Sequence, residues 1–246
     1  VNQTIETLLQ HRSIRSFTED RLTQEQIHTI VDAAQMASTS SYMQAYTIMG
    51  VTDEKKKADI AEITGQDYVQ NNGHLFVFCA DMYRHQVKAT DQQKQDMIQN
   101  IENTEHLLVS TIDATLAAQN GAIAAESMGL GMCYIGSIRN NIQRVDELLN
   151  LPPHVIPLFG MVVGYPKSKP EQKPRIPRKG IYFENEYNKE QHHALDQFDD
   201  KIRAYYENRS NNTRKDTWTD QMIRRFSNPM RMDVTTHVQN KGLNKR

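Results

Sequence analysis

Ile112-Asp113-Ala114-Thr115-Leu116-Ala117-Ala118-Gln119-Asn120-Gly121-Ala122-Ile123-Ala124-Ala125-Glu126-Ser127-Met128 closes the longest helical pattern in the chain, which begins near Glu105. Ile112, Ala114, Leu116, Ala117, Ala118, Ile123 and Ala124 spread around much of the circumference, so the helix is expected to be buried on nearly all sides. Gly129 stands where a C-terminal cap belongs. Apolar runs flank this helix: Leu75-Phe76-Val77-Phe78-Cys79-Ala80 before it, Tyr134-Ile135 and Leu158 to Val163 after it. The runs from Leu75 and from Leu158 read as buried strands, and Tyr134-Ile135 leads to Gly136-Ser137. Strands separated by long helices, one of them apolar all round, predict an α+β domain with a sheet packed by helices.

Working outward, Tyr46 to Val51 reads as a further strand, Lys55 to Ile63 as a surface helix, and Gly65-Gln66-Asp67 as a turn. Thr23-Gln24-Glu25-Gln26 is a capping box, with a hydroxyl at the cap and Gln three residues on. It opens a helix to about Ala37 that carries Ile27, Ile30, Val31 and Ala34 at helical spacing, and Ser38-Thr39-Ser40-Ser41 breaks it. Nearest the N-terminus, Thr4 to Gln10 reads as a short helix. Toward the other end, Ile142 to Leu149 is helical and stops before Leu151-Pro152-Pro153. Residues Tyr165 to Lys179 are polar and proline-rich, which predicts an extended, solvated segment. A helix from about Gln191 to Tyr206, a polar turn from Arg209 to Lys215 and a less regular tail complete the chain, with no internal repeat.

Composition narrows the function classes. With 246 residues the chain can bury a substantial core, and 29 Lys+Arg against 30 Asp+Glu leaves no basic excess of the kind a general nucleic-acid binder shows. The apolar runs are far too short to span a bilayer, and Val1-Asn2-Gln3-Thr4-Ile5-Glu6 does not read as a signal peptide, so no membrane association is expected. Cys79 and Cys133 have no metal-ligand spacing, and a reduced, cytoplasmic setting is expected. Gly-x-Ser-x-Gly elbows, Walker loops and paired metal-spaced histidines are all missing from the sequence. Gly129-Leu130-Gly131 follows a helix rather than a strand, the wrong context for a dinucleotide fingerprint. An enzyme without a side-chain nucleophile needs a bound cofactor for its hard chemistry.

The stretch His11-Arg12-Ser13-Ile14-Arg15-Ser16-Phe17 gathers cationic and hydroxyl groups suited to a phosphate. In order along the chain there follow Ser38-Thr39-Ser40-Ser41, Gly65-Gln66, Ala124-Ala125-Glu126-Ser127-Met128-Gly129-Leu130-Gly131, Tyr134-Ile135-Gly136, Lys173-Pro174-Arg175 and Asp216-Thr217-Trp218. Together they resemble the FMN-dependent nitroreductase family, in its oxygen-insensitive NADPH nitroreductase and NADPH–flavin reductase branch. The resemblance implies one nitroreductase domain over residues 1–246, with an extended loop, C-terminal helices and tail from about 165. It also implies a central, mainly antiparallel sheet flanked by helices, and an intertwined homodimer.

By the same resemblance His11, Arg12 and Ser13 serve the phosphate and ribityl end of FMN, together with Lys173 and Arg175. Arg15 and Gln66 face the pyrimidine edge of the ring, the backbone amide of Gly136 approaches N5, and Tyr134, Ile135 and Ser137 complete that wall. Ser38, Thr39 and Ser40 come from the partner subunit. Arg209 and Arg214 match two arginines that contact the 2′-phosphate of NADPH in this branch. The implied activity is two-electron, ping-pong reduction of nitroaromatics, quinones or flavins by NADPH, with no catalytic side chain and no metal. Two alternatives stand beside it: a flavin reductase supplying a partner monooxygenase, and an FMN-binding protein without turnover.

Overall fold

The computed structural model describes residues 1–208 and 215–246. In chain order the elements are α1 (Gln3–Leu9), α2 (Gln24–Gln35), β1 (Tyr46–Val51), α3 (Glu54–Thr64), β2 (His74–Asp81), α4 (Asp91–Ile101), α5 (Thr104–Ser127), β3 (Gly131–Ile135), α6 (Ile142–Leu149), β4 (Val155–Gly164), α7 (His192–Glu207), α8 (Trp218–Phe226) and α9 (Val234–Asn240). The predicted capping box at Thr23 is present, with the Thr23 side chain accepting from the Gln26 amide and the Gln26 side chain accepting from the Thr23 amide. Equivalent boxes at Thr90 and Thr217 open α4 and α8.

Two compact units make up the chain. One comprises Val1–Pro170 with Arg231–Arg246, the other Glu171–Met230. The first holds a four-stranded sheet in the order β1-β2-β4-β3, and every neighbouring pair is antiparallel. Central β2 is buried at all eight positions because both faces of the sheet are covered. Phe76, Phe78 and Ala80 face a core shared with Ile30 and Ala34 of α2 and Ala114, Ala117, Ala118 and Ala122 of α5. Leu75, Val77 and Cys79 face the opposite core, with Ile60 and Ala61 of α3 and Val145 and Leu149 of α6. That double cover explains why β2 reads as a continuous apolar run rather than an alternating one.

Two features depart from the sequence reading. Within a single chain α5 is not buried all round: Leu108, Ile112 and Leu116 are each about half exposed, at 53, 53 and 45%. Their spacing of four residues places them in one outward stripe, opposite the small residues that meet α2 and the sheet. The tail, read as less regular, forms α8 and α9. The segment after α9 folds back onto the first unit, where Leu243 is fully buried and Lys241 Nζ donates to Asp146 Oδ1 at 2.9 Å and to the Leu151 carbonyl at 2.8 Å. In the second unit α7 and α8 close a small core around Phe198, Ile202 and Tyr206, with Trp218 tilted against Phe198 at 5.8 Å.

Candidate functional site

The stretch from His11 to Phe17 is held as an extended strap beside β3. Ser13 bridges Met132 in parallel, the Ile14 amide donates to the Met132 carbonyl at 2.9 Å, and Phe17 bridges Pro166. Ile14 and Phe17 are the buried anchors, at 4 and 5% exposure. Close approach at the start of β3 requires glycine, because a Cβ on Gly131 would lie 2.6 Å from Ile14 Cγ1. Such a contact is far inside van der Waals range.

Alternation along the strap sorts its polar groups. Ser13 and Arg15 share one side, and both act against the burial that raises the Cys133 thiol. On the other side Arg12 and Ile14 line a cleft of about 180 Å³ with Thr7, Glu126 and Lys169. Arg12 Nε donates to the Gln10 carbonyl at 3.1 Å. His11, at the head of the strap, meets the Glu126 carboxylate of α5 at 2.7 Å through Nδ1.

Gly65 ends α3 in the left-handed region, φ 64°, a conformation glycine adopts without penalty. The chain therefore turns sharply and delivers Gln66, whose Oε1 accepts from the Ser137 hydroxyl at 3.2 Å. Tyr134, Ile135 and Gly136 follow one another out of β3. Ile135 is buried, whereas Tyr134 is 37% exposed, stacks edge-on against Phe159 and donates to Gln119 Oε1 at 3.4 Å. Burial pushes the Tyr134 hydroxyl well above the usual phenol range, with Glu126 adding to the shift. A Cβ on Gly136 would meet Arg139 Nη2 at 3.3 Å.

Thr39 and Ser40 sit on a different support. The Asp113 carboxylate of α5, fully buried, accepts from the Ser40 amide through Oδ1 and from the Ala45 amide through Oδ2, both at 3.0 Å. Thr39 Oγ1 accepts from the Gln44 amide at 3.3 Å, and Ser38 is exposed. Ser41, Tyr42 and Gln44 all have positive φ, so the loop is held in a conformation that its own residues disfavour. Lys173 and Arg175 belong to the second unit, where both are exposed and Arg175 Nη1 donates to the Lys173 carbonyl at 2.8 Å. Arg209 and Arg214 lie outside the described residues.

Three contributors escaped the sequence reading. Asp113 was detectable in principle as an acid inside an apolar helix. Tyr68 carried no signal of its own. Cys133 was read among apolar neighbours, and its thiol donates to the Tyr134 carbonyl at 3.5 Å; burial pushes it above the ordinary cysteine range, against the opposing influence of Arg15, Ser13 and Tyr68.

An α+β layer structure with a four-stranded antiparallel sheet and a polar cluster at the end of β3 defines the class. The chain belongs to the nitroreductase family: the model described as Nitroreductase family matches residues 8–165, and that of the Nitroreductase family, C-terminal domain, matches 173–246. It is 50% identical over 249 residues to an FMN reductase (NADPH) of Bacillus subtilis (strain 168), covering all of both chains. The structure of NfrA1 nitroreductase from B. subtilis superposes with a TM-score of 0.93 at 49% identity, over 99% of this chain and 100% of that one. That of an NADPH:FMN oxidoreductase from Vibrio harveyi complexed with NAD+ does so with a TM-score of 0.90 at 39% identity, over 100% of both. No helix among the described residues is long and apolar enough to cross a membrane.

Proposed function

We propose that this chain is an FMN-dependent oxidoreductase that uses NADPH to reduce nitroaromatics, quinones or flavins. The observation that carries the reading is the convergence of Ser13, Arg15, Gln66 and Ser137 beside the partly exposed Tyr134 at the end of β3. The donor set suits the group: a guanidinium, a carboxamide and hydroxyls match the acceptors along an isoalloxazine edge and a ribityl chain.

When bound, FMN supplies two-electron transfer, in which a hydride is taken up from NADPH and the electron pair is passed to the acceptor in a second, ping-pong half-reaction. The residues of this chain bind, orient and tune. Arg15 and Gln66 would hold the pyrimidine edge, where a cation favours the added negative charge. His11, oriented by Glu126, would serve the phosphate and ribityl end with Ser13 and Arg12. Tyr134, Ile135, Gly136 and Ser137 would form the wall behind the ring. Family membership adds Lys173 and Arg175 for the phosphate, and Arg209 and Arg214 for the 2′-phosphate of NADPH. It also supports a cytoplasmic homodimer formed from residues 1–246 as one nitroreductase domain. The exposed stripe Leu108, Ile112 and Leu116 is a surface that a second copy would cover, and Ser38, Thr39 and Ser40 would then reach the partner's cofactor.

Free flavin is a favoured acceptor, since relatives in B. subtilis and V. harveyi are an FMN reductase and an NADPH:FMN oxidoreductase. The test is the absorption spectrum of the purified protein, followed by anaerobic mixing with NADPH and with NADH. Bleaching by NADPH is expected. A bound flavin that stays oxidised with both would replace the enzyme reading with that of an FMN-binding protein without turnover.

A further inference from the structure

β3 pairs with β4 from Gly131 opposite Gly164 to Ile135 opposite Gly160, and there the pairing stops. Continued by two residues, the same register would set Ser137 opposite Leu158. On its other side β4 is irregular at that very place. Phe159 stands opposite Phe78 and Pro157 opposite Cys79, so Leu158 is an extra residue without a partner on β2. A side chain meets it instead of a strand: Arg139 Nη1 donates to the Leu158 carbonyl. Arg139 belongs to the short 3-10 helix Gly136–Asn141, which the fully buried Ile138 anchors in the core. Its guanidinium lies against Gly136. Chain neighbours apart, the three atoms nearest to a Cβ on Gly136 all belong to that guanidinium, Nη2 first at 3.3 Å. Among the described residues no carboxylate forms an ion pair with this half-buried cation.

We propose that Arg139 is a positioning residue for the Gly136–Ser137 edge of the flavin site. By holding the Leu158 carbonyl it takes the place that Ser137 would have in a longer β3, so the chain leaves the sheet after Ile135. The inference rests on the reading that Gly136 and Ser137 line the flavin. Freed from the sheet, Ser137 turns its hydroxyl to Gln66 Oε1 at 3.2 Å, and Gly136 is laid on a planar group that cannot retreat. Gly136 is small for a reason internal to the chain: a side chain there would displace the guanidinium. A half-buried charge is ordinarily paired with an opposite one, because leaving it unpaired costs stability. Arg139 has a neutral carbonyl instead, which pins the group and leaves its charge in place. A cation behind the Gly136 backbone favours the negative charge that the ring gains on reduction. Position and charge therefore act on the cofactor through one side chain that need not touch it.

The test compares Arg139→Met, Arg139→Lys, Ser137→Ala and the double variant Arg139→Met/Ser137→Ala in the FMN-loaded enzyme. It reads the FMN dissociation constant, the two-electron midpoint potential and the apoprotein melting temperature. Ser137→Ala should weaken FMN about threefold, the loss expected for one neutral hydrogen bond. Arg139→Met should weaken it about tenfold and make the potential more negative, since donor and charge go together. Arg139→Lys keeps the charge and one donor but not the planar fork, and should stop at about threefold. The double variant should bind FMN no worse than Arg139→Met, because Ser137 is already out of place when Arg139 is gone. An Arg139→Met enzyme that melts earlier but keeps wild-type affinity and potential overturns the positioning role, as do fully additive losses in the double variant. If Ser137→Ala and Arg15→Ala are both unshifted, the placement of the flavin itself fails and takes the proposal with it. Should Arg139→Met not fold, Arg139→Lys decides, and wild-type affinity and potential in that variant refute the proposal.

Discussion

Replacing Asp113 with alanine removes a buried acceptor that two backbone amides share. In the native chain Oδ1 takes the Ser40 N–H and Oδ2 takes the Ala45 N–H, each at 3.0 Å. The two amides differ in what happens next. Ala45 is fully buried, so its N–H would be left without a partner, at a cost of about 1–3 kcal/mol. Ser40 is exposed, and water can take over its amide, which limits that loss to about 0.5–1.5 kcal/mol. The expected destabilisation is therefore about 1.5–4.5 kcal/mol, a large share of the stability of an ordinary domain. Asp113→Asn should recover part of it, since one oxygen still accepts while the new NH₂ faces an amide donor. Urea unfolding of the apoprotein at neutral pH measures the difference directly. A loss below about 1 kcal/mol for Asp113→Ala would show that the loop from Thr39 to Ala45 finds other partners, and that the buried carboxylate does not hold it. Because Ser38, Thr39 and Ser40 are proposed to reach the partner's cofactor, FMN retention in the dimer should fall along with stability.

Gly131→Ala should cost about 1–3 kcal/mol and loosen FMN binding, because the new methyl overlaps Ile14 and pushes the strap off β3; calorimetry and flavin titration should both register it, and an unchanged melting temperature would contradict the close approach. Acid stability should be limited by His74, whose buried Nε2 has no hydrogen-bond partner among the described residues and whose pKa is lowered to about 4 by burial and by Lys57 and Arg21. The unfolded imidazole takes up its proton near 6.5 and the folded one only near 4, so stability falls as pH drops through that window, by about 3 kcal/mol in all, and His74→Phe should flatten the decline. Lys57, lowered to about 8 chiefly by burial, works at the other end: the unfolded chain holds that proton up to about 10.5, so its contribution improves as pH rises from 8 to 10.5. Ile112→Glu places a charge in the exposed stripe of α5 and should convert the proposed dimer to monomers in sedimentation experiments, whereas persistence of the dimer would move the interface elsewhere.

Most of the scaffold was legible because burial writes itself into local patterns. The runs from Leu75 and from Leu158 announce strands covered on both faces, and the Thr23 capping box marks a helix start to the residue. The exposed stripe of α5 was not legible, since Leu108, Ile112 and Leu116 are as apolar as core residues, and whether a second surface covers them is not a property of local sequence. α8 was legible in principle, since Trp218, Met222 and Phe226 recur at helical spacing behind the Thr217 box, whereas the seven residues of α9 are too few to show a period. At the site, Arg15 and Gln66 could be singled out by motif. The bond between Gln66 and Ser137 could not, because it joins the turn after α3 to the end of β3, which no spacing along the chain encodes.

The same distinction bears on how the site is built. The polar residues proposed for it come from the strap, the turn after α3 and the end of β3. The strap is tied to the core by Ile14 against Gly131 and by Phe17, the turn after α3 is set by the left-handed Gly65, and Gln66 accepts from Ser137 at the end of β3. The hydroxyl loop has its own tie in Asp113. Positional accuracy at a flavin edge is therefore set beneath the site rather than at its surface. Substitutions at Gly131 and Asp113 should alter cofactor affinity and potential as much as substitutions of residues proposed to touch the cofactor, and they should do so through stability and geometry together.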